Sequence, residues 1–408
     1  MKVVIIGLSA AGLSCLETLL RFSPGSEISV ISEEKRLPYC RCILTEYLGR
    51  EIREEFLTVR DPSHFPPNVT FLPGERAVSI DPPAKTVALQ SGKKLRYDKL
   101  LIATGANAVR PDYCSDENRV FTLRYIDDAL MIERCLERKA TVVGGGFIGI
   151  KAAYGLKKRG IDVEVVESLH LLSTWMDERQ SMVVEDDLKA IGITINKGDE
   201  ITQISIRGDT VTSALKSGKE LESDVVVAGI GVIPRIELAQ GAGIMTDTGI
   251  LVNEFLETSA KDIYAAGDCC EAMDTSRNRP WVNAVWPVAV EQGYFAALNM
   301  IGMCASYPGS IAMNSLKTPD FHLIIAGILR NGEDITFYEK QIPRKRQFRM
   351  LAVRENIPVG MMFYNAAEDA GPVLRLIRSG KPLTTVKPGE IVRGEASLYD
   401  MMKSLQQR

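Results

Sequence analysis

Two copies of one local pattern constrain the fold of this chain more than any other feature. Each copy is a short apolar strand, a glycine-rich turn, a helix, a second strand and an acidic residue. The first passes from a strand over residues 2–7 through Gly7-Leu8-Ser9-Ala10-Ala11-Gly12 into a helix ending near Phe22, then through a strand at 28–31 to Glu33 and Glu34. The second passes from a strand at 140–143 through Gly144-Gly145-Gly146-Phe147-Ile148-Gly149 into a helix ending at Arg159, then through 162–166 to Glu167. Continuous apolar strands that alternate with helices read as parallel strands covered on both faces. A glycine turn followed by a helix start offers free backbone N–H groups and a positive dipole end to a pyrophosphate. Gly7 permits the tight turn and Gly12 lets the helix approach the strand. Ser9 replaces the usual middle glycine of the first motif, whereas the second motif is complete.

Glu167 lies about 20 residues beyond the second glycine cluster, where a carboxylate accepts hydrogen bonds from both ribose hydroxyls. Ser168-Leu169-His170 follow it, with no arginine. A 2′-phosphate would meet repulsion there and find no cation, so NADH is expected rather than NADPH.

Composition excludes several other classes. The chain has 408 residues, 45% hydrophobic and 25% charged, enough for two or three domains. A net charge of -3 argues against a dedicated nucleic-acid binder. The longest uncharged apolar run, residues 225–233, contains two glycines and is about half the roughly 18 residues of a membrane helix. Met1-Lys2 leads straight into a buried strand without a secretory leader, so a cytoplasmic protein is expected. The eight cysteines (15, 40, 42, 114, 135, 269, 270 and 304) include no CxxC pair, and there are only three histidines. No metal site is expected. The thiols are expected to be free and mostly packed in the core.

Two dinucleotide units in one chain suggest two nucleotides held face to face, with hydride passing from a nicotinamide to a flavin. Three further segments sharpen this. They are Tyr97-Asp98-Lys99-Leu100-Leu101-Ile102-Ala103-Thr104-Gly105-Ala106, the stretch 224–234 and the stretch 258–268, which ends Ala265-Ala266-Gly267-Asp268. With these motifs in order, residues 1–302 strongly resemble the pyridine-nucleotide–disulfide oxidoreductase family of FAD enzymes. The resemblance implies an α/β chain with two Rossmann-like dinucleotide-binding domains, for FAD and for NAD, and a C-terminal α+β interface domain. The expected bounds are 1–110 with 236–303, then 111–235, then 304–408.

Carried over residue by residue, the resemblance places Gly7, Ser9, Ala10, Ala11, Gly12 and Glu33 or Glu34 around the FAD adenosine and pyrophosphate. It sets Val78 against the adenine, Ala103, Thr104 and Gly105 beside the isoalloxazine, and Gly267 and Asp268 at the ribitol. Arg124 and Gly231 complete the expected contacts. Gly144, Gly146, Phe147, Ile148, Gly149 and Glu167 fall to NADH.

The subclass depends on what stands beside the flavin. The CxxxxC pair of glutathione-reductase-like members is absent, as is the histidine that peroxidase-like members carry in the first glycine loop. Pro38-Tyr39-Cys40-Arg41-Cys42-Ile43-Leu44-Thr45-Glu46-Tyr47-Leu48 resembles instead a stretch of ferredoxin and rubredoxin reductases and the flavin domain of assimilatory nitrite reductases. There Arg41 would face the cofactor, and Trp286 would border the flavin or simply fill the core. In those relatives a lysine in this stretch pairs with a glutamate after the second glycine motif. Here the aligned residues are Glu46 and Lys151, which implies an ion pair with its charges exchanged. Cys42 is either a redox cysteine or a filler of the family proline's place.

The resemblance implies a homodimer and an acceptor such as a rubredoxin- or ferredoxin-like carrier. Dioxygen, or a disulfide acting through Cys42, is the alternative, and an NADH-responsive sensor with little turnover is the rival from another class. Arg344-Lys345-Arg346 with Arg349 forms a basic run that reads either as steering for an acidic carrier or as a solvated turn and edge strand.

Overall fold

The computed structural model describes residues 1–113, 119–330 and 334–406, so Cys114 lies outside the described residues. Its first sheet is wholly parallel and five-stranded, in the order Ile263–Ala265, Lys99–Ile102, Lys2–Ile6, Glu27–Ser32, Val69–Pro73. The helix Ala10–Phe22 follows the first strand. A second parallel sheet repeats the plan in the order Thr194–Lys197, Asp162–Glu167, Lys139–Val143, Val225–Ala228, Val120–Thr122. Its glycine turn feeds the helix Phe147–Lys158. The strand cores are largely apolar because both faces are covered: Val3, Val4, Ile5, Leu100, Leu101 and Ile102 are all buried, as are Val142, Val163, Val165 and Val225, and the polar Thr141 and Glu164 that interrupt the second sheet's strands are buried with them.

The third sheet is antiparallel, in the order Met313–Lys317, His322–Gly327, Ile357–Tyr364, Gln347–Arg354, Thr336–Ile342. The helix Ala370–Ser379 lays Val373, Leu376 and Ile377 on one face. The other face meets the helix Glu178–Ala190 of the second unit, where buried Asp187 pairs with Arg346 and accepts the Tyr364 hydroxyl. The basic run is broken up. Arg349 is buried and bound to Asp369 at 2.7 Å, and Arg346 is committed to Asp187. Only Arg344 and Lys345 are left, on a turn. Strand alternation turned Arg349 inward, which the spacing of charges in the sequence does not reveal.

Cys15, Cys269 and Cys270 are buried as expected, but Cys40 and Cys135 are half-buried and Cys42 and Cys304 are exposed. Among the described residues no helix is long and apolar enough to cross a membrane, and no three His, Cys, Asp or Glu side chains form a metal cluster.

One buried carboxylate anchors the strand that delivers Asp268. Asp262, at φ +68, immediately precedes Ile263–Ala265 and accepts from Lys85 Nζ at 2.6 Å and Lys99 Nζ at 2.5 Å. Burial alone would raise its pKa, but the hydrogen bonds from the two lysines win and hold it below the usual carboxylate range. Removing one partner of a buried pair costs roughly 3–5 kcal/mol. Lys85 is nearly half exposed, so Asp262→Asn is expected to cost about 1–2 kcal/mol at neutral pH. A depressed folded-state pKa stabilises above the unfolded value, near 3.9, and the contribution disappears as pH falls through the folded value. Urea unfolding should therefore show the wild-type advantage at pH ~7 and its narrowing below pH ~4. An undiminished gap in acid would contradict the assignment.

Candidate functional site

The carboxyl ends of the first sheet converge. Ile6 leads to Gly7, Ser32 to Glu33, Ile102 to Ala103 and Ala265 to Ala266-Gly267-Asp268, and Gly7, Glu33, Ala103, Ala266, Gly267 and Asp268 all line one cavity of about 770 Å³. That volume suits a large cofactor. Ser9, Ala10 and Ala11 form one wall, at a helix start that no side chain caps. The first turn of the helix therefore presents its backbone N–H groups to the cavity. Gly12 stands behind the wall, packed against Gly7, and does not line the cavity.

Glu33 and Glu34 both line the cavity, and each is already paired. Glu33 Oε2 accepts from Arg235 at 2.7 Å. Glu34 is bound to Arg41 and accepts the Tyr39 hydroxyl at 2.7 Å. Arg41 also donates to the Arg124 carbonyl at 3.2 Å and lies over the rings of Tyr39 and Tyr125, 5.0 and 4.7 Å from their centres. Its guanidinium lines the cavity as expected, but its donors are spent on bracing the wall. Burial pushes the Tyr39 hydroxyl up, so it stays a neutral donor to Glu34.

Val78 departs from expectation. It is exposed, and its neighbour Ala77 lines the cavity instead. The pairing of Ala77–Asp81 with Thr86–Leu89 shifts register between Ala77 and Ser79. A bulge there breaks the two-residue alternation and turns Val78 outward.

The two units meet at the same cavity. Thr104, Gly105, Arg124, Gly231, Asp268 and Trp286 line it together with Phe147, Ile148 and Lys151 from the second unit's helix. Asp268 Oδ2 accepts from Arg124 Nη2 at 2.7 Å. Gln292, buried in the helix Trp286–Met300, accepts the Gly267 N–H at 2.8 Å and so fixes the turn that presents Asp268. Lys151 Nζ lies 3.1 Å from Glu46 Oε1, and Thr45 donates to the other oxygen of that carboxylate at 2.5 Å. Cys42 lines the cavity as well.

The second unit carries its own nucleotide features. Glu167 Oε2 accepts the Gly145 N–H at 2.6 Å, and Oε1 accepts the Leu169 N–H at 2.9 Å. The strand-end carboxylate is thereby held over the glycine turn formed by Gly144 and Gly146, while Gly149 closes the helix onto it. Gly144, Gly146, Gly149 and Glu167 lie outside the cavity of the first unit.

Sequence reasoning missed Tyr39, Tyr125, Arg235 and the segment Met313–Ser315 as lining residues. Tyr39 had a signal, an aromatic two residues before an arginine beside two carboxylates. The Met313–Ser315 wall had none, because it comes from the antiparallel sheet far along the chain.

The features a dinucleotide would need are thus present twice: a glycine-tight turn, an uncapped helix start and a carboxylate at the end of the next strand. A doubly wound pair of this kind, sharing one cavity at its junction, defines a two-nucleotide oxidoreductase. The model of the family described as pyridine nucleotide-disulphide oxidoreductase matches residues 1–293, and the chain belongs to that family of flavoproteins. Across 414 residues it is 29% identical to the assimilatory nitrate reductase electron transfer subunit of Bacillus subtilis, covering 99% of this chain but only 52% of that longer protein. It is 31% identical over 338 residues to the NADH-rubredoxin oxidoreductase of Clostridium acetobutylicum, covering 81% of this chain and 83% of that one. A ferredoxin reductase of Rhodopseudomonas palustris superposes with a TM-score of 0.88 at 26% identity, covering 99% of both chains.

Proposed function

We propose that this chain is an FAD-dependent NADH oxidoreductase that passes electrons to a small carrier protein such as a rubredoxin or ferredoxin. The observation that carries the reading is the junction cavity, where Phe147, Ile148 and Lys151 of the NADH unit share a wall with Thr104, Asp268 and Trp286 of the FAD unit. The relatives named for NADH and rubredoxin support the choice of donor and acceptor. FAD, when bound, supplies an acceptor for the hydride of NADH and a store from which electrons leave singly or in pairs.

The chain's own residues position and neutralise. Ser9, Ala10 and Ala11 would hold the pyrophosphate, and Glu33 or Glu34 the adenosine ribose. Asp268, turned by Gln292, would take the ribitol. Lys151 and Glu46 would set the charge at the junction, and Trp286 would exclude water. The expected domain bounds, 1–110 with 236–303, 111–235 and 304–408, belong to the same reading. So do a homodimer formed through the C-terminal sheet and a cytoplasmic setting.

Two experiments test the proposal. The first supplies NADH and follows reduction of added rubredoxin and ferredoxin. Turnover on one of them well above the rate with dioxygen is expected, and equal, slow rates on all acceptors would contradict the carrier reading. The second concerns the donor. Glu167→Gln should lower kcat/KM for NADH about tenfold, the equivalent of ~1.4 kcal/mol of lost charge-assisted hydrogen bonding, and narrow the preference over NADPH. A wild-type enzyme that favours NADPH would overturn the assignment of Glu167.

A further inference from the structure

The short helix Leu44–Leu48, which carries Glu46, packs against the helix Phe147–Lys158, which carries Lys151. The seam between them has three steps along one face of the longer helix. Lys151, Gly155 and Arg159 recur four residues apart and so lie in one row. Lys151 meets Glu46 at 3.1 Å. One turn on, Gly155 faces Gly49 and the carbonyl of Thr45. A further turn on, Arg159 donates to the Leu48 carbonyl at 3.2 Å and is bound to Glu133, which also accepts from Arg50 at 2.7 Å.

The middle step has no backbone reason to be glycine. Neither Gly49 nor Gly155 takes a positive φ. Glycine is also, after proline, the poorest residue for a helix interior. What both positions lack is room. A Cβ on Gly155 would stand 3.0 Å from the Thr45 carbonyl oxygen and 3.2 Å from Gly49 Cα, and one on Gly49 would stand 3.0 Å from Gly155 Cα. These obstacles are backbone atoms, which cannot swing aside as the end of a side chain can. The charged steps on either side draw the helices together, and the glycines let them close.

We propose that Gly155 and Gly49 are positioning residues that set how closely the NADH unit's helix approaches the Arg41–Arg50 segment, and with it the distance that hydride crosses. The inference rests on the reading that this junction passes hydride from NADH to FAD. The glycines touch neither nucleotide in this account. They act through the helix that presents Phe147, Ile148 and Lys151 to the cavity. A methyl group at either position would part the seam by a few tenths of an ångström, and a valine side chain by more. Transfer needs the reacting atoms within roughly 3–3.5 Å, and a displacement of about 1 Å costs on the order of 100-fold.

Two readings test this. In stopped flow, Gly155→Ala should lower the limiting rate of flavin reduction by NADH about threefold and Gly155→Val about 100-fold, with flavin content and NADH Kd within about twofold of wild type. An effect confined to NADH affinity, or an unchanged limiting rate in Gly155→Val, would overturn the proposal. The second reading needs neither flavin nor turnover. A carbodiimide can join Lys151 Nζ to the Glu46 carboxylate as an amide, with loss of one water. The joined lysine resists trypsin, so the product is peptide 42–50 linked to peptide 140–157, read by mass. Cofactor-free wild type should give this product, Gly155→Ala less of it and Gly155→Val little, with fold checked by circular dichroism. If Gly155→Val does not fold, Gly155→Ala decides by the same two readings. Equal yields in all the folded proteins, with normal flavin reduction in the wild type, would overturn the inference alone. Yields that fall in order while NADH leaves the wild-type flavin oxidised would remove the oxidoreductase reading and the role in transfer together.

Discussion

Lys151→Glu will slow the reduction of bound flavin by NADH about 100-fold, and adding Glu46→Lys to the same chain will recover about tenfold of the loss. The two side chains face each other at 3.1 Å, with 24% and 28% of their side-chain surfaces exposed. Reversing Lys151 alone sets two carboxylates together at the meeting point of the two nucleotide units. Breaking a fully buried pair costs roughly 3–5 kcal/mol, and partial solvent access lowers that toward the ~2.7 kcal/mol that 100-fold represents. The double variant restores opposite charges with their positions exchanged, so the cycle should show a coupling of at least about 1 kcal/mol. Stopped-flow mixing with NADH reads each rate directly. Strict additivity of the two single effects would mean that the contact has no part in the transfer.

The second large effect separates the two nucleotide units. A Cβ on Gly12 would sit 1.9 Å from the Gly7 carbonyl oxygen, and one on Gly149 would sit 1.9 Å from that of Gly144. Real Cβ atoms do not approach so closely, so each helix must move away from its turn and open the cradle a pyrophosphate would fill. Gly149→Ala is expected to bind FAD and to weaken NADH binding about 100-fold or more, ~2.7 kcal/mol. Gly12→Ala is expected to be isolated without flavin. Flavin content is read from absorbance, NADH affinity by titration, and retention of fold by circular dichroism. Loss of flavin from a folded Gly149→Ala protein would contradict the assignment of one nucleotide to each unit.

Both parallel units were legible because buried parallel strands leave continuous apolar runs, and because each turn needs glycine at fixed places. The Glu46–Lys151 pair was legible through its exchanged charges, each explicable only by the other. Val78 was misplaced because a bulge, which no local signal announces, inverted the strand's faces. Arg41 lines the site as expected, but its role as a brace for Glu34 between two tyrosines depends on Tyr125, distant in sequence. Of the basic run, the turn at Arg344 and Lys345 was legible, but the pairing of Arg346 and Arg349 was not, since Asp187 and Asp369, which claim them, come from other elements. What the sequence withheld was the bulge at Val78 and the long-range pairing of charges.

The measurement that tests the account most directly is an anaerobic titration of the purified, flavin-loaded protein with NADH and, separately, with NADPH, followed by visible absorbance. The account predicts a yellow protein whose flavin absorbance bleaches with NADH at concentrations where NADPH has little effect. A protein that takes up no flavin, or whose flavin NADH leaves oxidised, would contradict it.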